Sequence, residues 1–486
     1  MRRTTFIAVL AVTLPIGLLP VAAGAEEGTH SENLTHVKNL GYEARNGGTP
    51  NFGTDIEFAA LGGRDYALAG SYRNGLQIVD ITEPEQAHIA AIYDCGVTQG
   101  DVQVFNRSDH PGRTFITFTS DTFGDGTSTC YREAEALGFD VKKDNGSGKN
   151  GTFIADITDP LNPVTVSFVE VAKGSHNQTV HPSGLFLYNS NSDLITTAGS
   201  QAIEVYDISD FTAPQLATSL ALPLRPGLGT ESHDITFNTV GDRAYSAALS
   251  QTVIIDTTDP AKPSIVSSFV DPAINVEHQS DPFTLTDAGG NERDFLIVED
   301  EYAGAAGGPH CPSGGVHIYE ITGDLEQNPR KVGYWNIGDA GLTPEPTGRC
   351  TAHVFDVHEK EAIMTIAFYN GGVRVVDISG LAGYSLGSTP IASEAGMREI
   401  AFYKFGDSDT WAAKTPHIQG NGDFYLYGND ISRGLDIFKF DAGNKGGKKP
   451  RKSRDEGTWM TASEAAVSLP RLDIAAGYKP FCLLPE

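Results

Sequence analysis

Histidine recurs along this chain in one setting, at the head of a short segment that goes on to alternate apolar and polar residues. The segments are GSHNQTV (174–180), ESHDITF (231–237), VEHQSDPF (276–283), TAHVFDV (351–357) and TPHIQGN (415–421). Aligned on their distance from a downstream repeat, His176, His233, His278, His353 and His417 fall in one register, and they are five of only 13 histidines. Neutral imidazole is the commonest metal ligand among side chains. Three or four such ligands that leave a position open suit zinc, iron or copper. Carboxylates can orient the distal ring nitrogens. Candidates for that role are Asp234, next to His233, with Asp121, Asp193, Glu299, Asp300 and Asp430 at the ends of neighbouring segments. The expected chemistry is metal or small polar-ligand binding, with an oxidoreductase or hydrolase as the activity it would serve. No residue is singled out as catalytic. The competing reading is a non-catalytic envelope or extracellular scaffold, whose histidines only cap strands by bonding backbone carbonyls.

The elements that would position these rings come from a repeat. A short apolar strand ending in an acid and a turn recurs as LQIVDITEP (76–84), TFIADITDP (152–160), IEVYDISDF (203–211), VIIDTTDP (253–260), VHIYEITGD (316–324) and VRVVDISGL (373–381), with a weaker copy LDIFKFDAG (435–443). The acid of each copy is expected to be structural, bonding backbone amides of the turn that follows. A strand precedes each motif, a further strand precedes that one, and a fourth follows the turn. Seven units of four strands describe an all-β, seven-bladed β-propeller. The segment LTHVKNLGY (34–42) is expected to supply the missing outer strand of the last blade and so remove an exposed edge. In a propeller the first strand of each blade lines the axial channel, so the aligned histidines should converge on one channel mouth.

The GLQIVDITEP and GGVRVVDISG segments resemble the LVIVD-repeat family of exported bacterial propellers, over roughly residues 50–442. The resemblance implies a propeller and an extracytoplasmic location. It implies no particular reaction. At the level of fold alone, carotenoid-cleaving oxygenases are similar in placing four axial histidines, which bind iron, in a seven-bladed propeller.

Residues 1–25, with two arginines, a short apolar run broken by Pro15, and Ala23-Gly24-Ala25, read as a cleavable export signal. The propeller is expected over 26–442, a basic glycine-rich linker over 443–457, and a tail packing on the propeller over 458–486. Export makes disulfides plausible for the five cysteines. Long insertions fall between second and third strands at about 120–151 and 301–315. Cys95–Cys130 and Cys311–Cys350 would each pin one of them, leaving Cys482 over. The net charge of −27 argues against a nucleic-acid partner. The expected partners are an unidentified small molecule and, through the basic linker, the cell envelope. No stretch of the mature chain is apolar enough to span a bilayer.

Several other motifs fail on inspection. VHEKEA (357–362) lacks the second histidine of H-E-x-x-H, and no phosphate-binding or nucleophile-elbow pattern occurs. The loops DTFGDG (121–126) and DNGSGKNG (144–151) carry oxygen donors but miss the calcium-loop pattern.

Overall fold

The computed structural model describes residues 28–192, 202–225, 229–301, 314–337, 350–383 and 397–443. The export-signal, linker and tail assignments, Asp193 and Cys311 lie outside these residues.

Seven antiparallel sheets follow one another around an axis, each ordered as consecutive strands from the inside out. Blade I spans 53–93, blade II 97–170, blade III 175–221, blade IV 234–269, blade V 277–335, blade VI 353–404 and blade VII 410–440. The motif is the third strand of every blade. Its apolar residues are buried on both faces, as in Gly75–Asp80 and Gly315–Glu320, because each sheet is covered by a neighbour on either side. Gly75 (φ 83°) opens one such strand where a Cβ would sit 2.5 Å from the Tyr93 carbonyl of the outer strand. Gly434 (φ 81°) stands in the same relation to the Leu40 carbonyl, again at 2.5 Å. The motif acids are structural, as expected. Asp80 accepts the Thr82 N–H, and Asp156, Asp207, Asp256 and Asp377 accept from Thr158, Ser209, Thr258 and Ser379 in the same way.

Blade VII closes the ring. Leu34–Leu40 pairs with Gly434–Phe440 as its outer strand, so an early and a late segment of the chain share one sheet. A contribution beyond the sequence expectation is Thr29–His30, which adds a fifth strand to the outer edge of blade VI. Apolar layers between blades hold the wheel together. Leu68 and Ile78 of blade I meet Val102, Ile116, Phe118 and Phe153 of blade II. Ile56 and Val79 meet Trp411, Tyr427 and Ile437 across the closure. Truncating a fully buried phenylalanine such as Phe118 to alanine would cost about 3–5 kcal/mol.

The blade II insertion carries a helix, Thr129–Ala136, that packs on the outer strand Val164–Glu170. Cys130 at its start is bonded to Cys95 in the link between blades I and II. This is the first of the two bridges expected. Cys350 is buried, and the second bridge cannot be followed within the described residues.

Candidate metal centre at the propeller axis

Four of the five aligned histidines meet. His176, His278 and His353 lie on the inner strands Ser175–Val180, Glu277–Thr286 and His353–His358, and His233 immediately precedes the inner strand Asp234–Phe237. The sheet ladders slip at three of these points, between Ser175 and Asn177, between Glu277 and Ser280, and between His353 and Phe355. A bulge re-aims a side chain that regular pairing would hold flat. The rings form an arc in blade order, with centroids 4.5 Å apart from His176 to His233, 3.9 Å to His278 and 4.4 Å to His353. All four are at most 2% exposed, so the cluster lies within the axis and not at an open mouth.

The two nitrogens of each ring face different surroundings. Every Nδ1 has an oxygen beside it: Asp121 Oδ2 at 3.4 Å from His176, Asp234 Oδ1 at 3.4 Å from His233, Glu299 Oε2 at 2.7 Å from His278 and the Trp411 carbonyl at 2.6 Å from His353. At His176 and His353 this oxygen accepts a hydrogen bond, which fixes the tautomer and leaves the Nε2 lone pair free to act as a ligand. The Nε2 atoms fall into two pairs. Those of His176 and His233 are 2.9 Å apart, close to the ~3.0 Å separating two cis ligands at ~2.1 Å from one ion. His353 Nε2 has no hydrogen-bond partner. Glu301 reaches into the same space, 3.9 Å from Nε2 of both His278 and His353, and accepts a 2.8 Å hydrogen bond from the Tyr369 hydroxyl. His278, Glu301 and His353, and separately His233, Asp234 and His278, have ligand atoms close enough to share an ion.

Electrostatics disfavour the charged form of three of these imidazoles. Burial, then the neighbouring rings, holds His233 and His278 well below the ordinary histidine range. Burial holds His353 at about 3 against the favourable Trp411 carbonyl. Burial also pushes Glu299 well up, reinforced by Glu301 and Asp300. Neutral imidazoles beside carboxyls with raised proton affinity are a donor set that a bound cation would stabilise.

His417 does not join the cluster. It is exposed and follows the inner strand of blade VII, which is Thr410–Lys414, so that Trp411 is the residue packed against His353, with centroids 4.7 Å apart. Asp300 and Asp430, expected on the rim, cap blade links instead. Asp300 Oδ1 accepts from the Asn275 and Val276 amides, and Asp430 accepts from those of Asp409, Ser432 and Arg433. Asp121, Asp234 and Glu299 do stand beside the rings, as described.

Sequence reasoning overlooked Glu301, Tyr369, Trp411 and Gln99, whose Nε2 lies 3.4 Å from His176 Nε2. Glu299 and Glu301 alternate in the EDE triplet, a spacing that puts both on one side of an extended chain. Gln99 (φ 72°) and Tyr369 (φ 43°) adopt left-handed backbone conformations rarely used by such residues. Strain of that kind gathers at functional sites, and no sequence signal announces it.

No family model and no curated protein matches the chain. Similar solved structures include the periplasmic gluconolactonase PpgL of Pseudomonas aeruginosa, at 9% identity and TM-score 0.48 over 77% of this chain and 99% of that one. The β-propeller domain of Cps50 (Swd1) from Myceliophteria thermophila matches at 9% identity and TM-score 0.49, over 84% and 99%. A functionally unknown protein from Desulfotomaculum acetoxidans matches at 14% identity and TM-score 0.40, over 71% and 88%. Likeness at this level says nothing of the chemistry.

Proposed function

We propose that this chain is an exported metalloprotein whose four axial histidines hold one transition-metal ion (iron, copper or zinc) and that it works as a metal-dependent oxidoreductase or hydrolase. The observation that carries the reading is the meeting of four buried rings at the axis: each Nδ1 lies beside an oxygen, the Nε2 atoms of His176 and His233 approach each other, and those of His278 and His353 both face Glu301. A bound ion would supply Lewis-acid or redox chemistry at its open position. His176, His233, His278 and His353 would hold it, Asp121, Asp234, Glu299 and the Trp411 carbonyl would orient them, and Glu301 is the carboxylate placed to hold a proton beside it. The buried Cys95–Cys130 bridge and the LVIVD-like repeat support export, since such bridges persist in oxidising compartments.

The scaffold alternative draws support from the 2.9 Å contact between His176 and His233, which satisfies one ring with the other without any ion. Elemental analysis of protein purified without a histidine tag separates the two. One equivalent of iron, copper or zinc, lost in a folded His233→Ala/His353→Ala variant, is expected. Metal-free protein, after expression with all three metals supplied, would leave the scaffold reading.

A further inference from the structure

Beyond the imidazoles the inner strands enclose a cavity of ≈ 220 Å³, with His278 and His353 in its wall. The rest of the wall is unusually one-sided in charge. Asp55, Glu57, Asp101, Asp234, Asp281 and Asp356 line it, and the single cationic side chain there is Lys414. Lys414 is already engaged, 2.9 Å from Asp55 and 2.7 Å from Glu57. The other four carboxyls form no salt bridge with it, although its charge is felt at Asp101 and Asp234. Burial, then the charges of Asp55 and Asp234, pushes Asp101 well above the ordinary carboxylate range, as expected of a buried acid among like charges.

A separate observation points to a ligand with hydrogen-bond donors. Gln178 is 1% exposed and lines the cavity. Its Nε2 donates to Thr117 and Asp101, but among the described residues its Oε1 accepts nothing. A buried amide oxygen without a donor has lost its water without replacement, a cost that a ligand N–H would offset. Among the described residues, only two groups bring three or more ligand atoms close enough for one ion. Both contain His278, and Asp234 is the single cavity carboxylate in either. The cavity carboxylates are therefore spread along the wall, too far apart to share a bare cation and suited to an extended one. Phe58 and Trp411 add aromatic surface on which an alkyl chain or ammonium can rest.

We propose that this cavity binds a small aliphatic amine as its ammonium form, with N–H groups donated to the carboxyls that form no ion pair with Lys414, Asp101 and Asp281 among them, and to Gln178 Oε1. This deepens the metal-centre reading by naming the substrate class delivered to it, and depends on that reading only for what then happens to the amine.

Calorimetry on the full chain at low ionic strength tests it with two probes of equal length, putrescine and butane-1,4-diol. Putrescine should bind at least ten-fold more tightly than the diol. Asp101→Asn/Asp281→Asn should erase that preference while retaining the wild-type metal content. Lys414→Gln, which releases Asp55 and Glu57, should strengthen putrescine binding, a gain that damaged folding cannot mimic. Equal binding of the two probes, or none, by folded wild-type protein overturns the proposal. A preference for putrescine in protein shown to take up no metal upholds the amine site and removes the metal centre. Metal without the preference does the reverse.

Discussion

Blades III to VI and blades VII, I and II are copies of one four-stranded unit, yet only the first group brings imidazole to the axis. Where blades III to VI place His176, His233, His278 and His353, blade I has Thr54, blade II has Gln99-Gly100 and blade VII has Trp411. The second group satisfies its backbone without histidine. The Asn429 amide donates to the carbonyls of Thr54, Asp55 and Gly70, and the Thr54 hydroxyl donates to that of Gly100. Capping of inner strands therefore does not require an imidazole in this propeller. The difference between the halves is one of chemistry, laid on a repeat that folds equally well either way.

Single changes in the two halves should separate accordingly. The largest effect is expected from His278→Ala, which removes the ring that touches both Glu299 and Glu301. Metal content should fall below a tenth of an equivalent, whereas Thr54→Ala in the bare half should keep it above nine-tenths of the wild-type value. Next comes the bare half's own staple. Cys95→Ser/Cys130→Ser opens a loop with a sequence separation of 35 residues and should lower stability by about 4 kcal/mol in denaturant titrations. It should leave the stoichiometry of bound metal unchanged.

Glu299→Gln keeps the shape but removes the acid that lies 2.7 Å from His278 Nδ1. Metal affinity measured by chelator competition should drop about 10–100-fold, the range for losing a partner that orients a ligand. Asp281→Asn addresses the cavity. Burial, opposed by hydrogen bonds from Thr236 and Gln279, holds this carboxyl at about 6, above the ~3.9 of the unfolded chain. The folded protein thus retains a proton that the unfolded chain releases. Its stabilising contribution is complete below pH ~4 and is lost as pH rises through about 6. Between roughly pH 4.5 and 7.5 wild-type stability should fall by on the order of 1–2 kcal/mol more than that of Asp281→Asn, a reduced figure because the carboxyl is only half-buried. The smallest effect belongs to His417→Ala. Neither melting temperature nor metal content should move.

The contrast between halves was partly legible in the sequence. The third strands announce themselves because burial on both faces demands an unbroken apolar run, and the acid that ends each run is tied to the turn that follows. Four histidines were recoverable because each stands at the head of the inner strand in a blade whose motif is plain, even though the stretch between histidine and motif acid varies in length from blade to blade. His417 was misplaced because the inner strand of blade VII ends at Lys414, before that histidine. The connection from Lys414 to Phe424 is longer there than the one from Phe237 to Arg243 in blade IV, so counting back from the motif lands in a loop. Asp300 and Asp430 resemble Glu299 in type and position, and only the direction of the side chain sorts a cap from a partner of a ring. Trp411 acts through its backbone carbonyl, which no residue type reveals.

The most direct measurement of the central claim is anomalous diffraction from crystals of tag-free protein, collected at the iron, copper and zinc edges. A single peak bounded by Nε2 of His176, His233, His278 and His353, each at about 2.0–2.2 Å, is the result predicted. Density with no anomalous signal there, in protein exposed to all three metals, would contradict it.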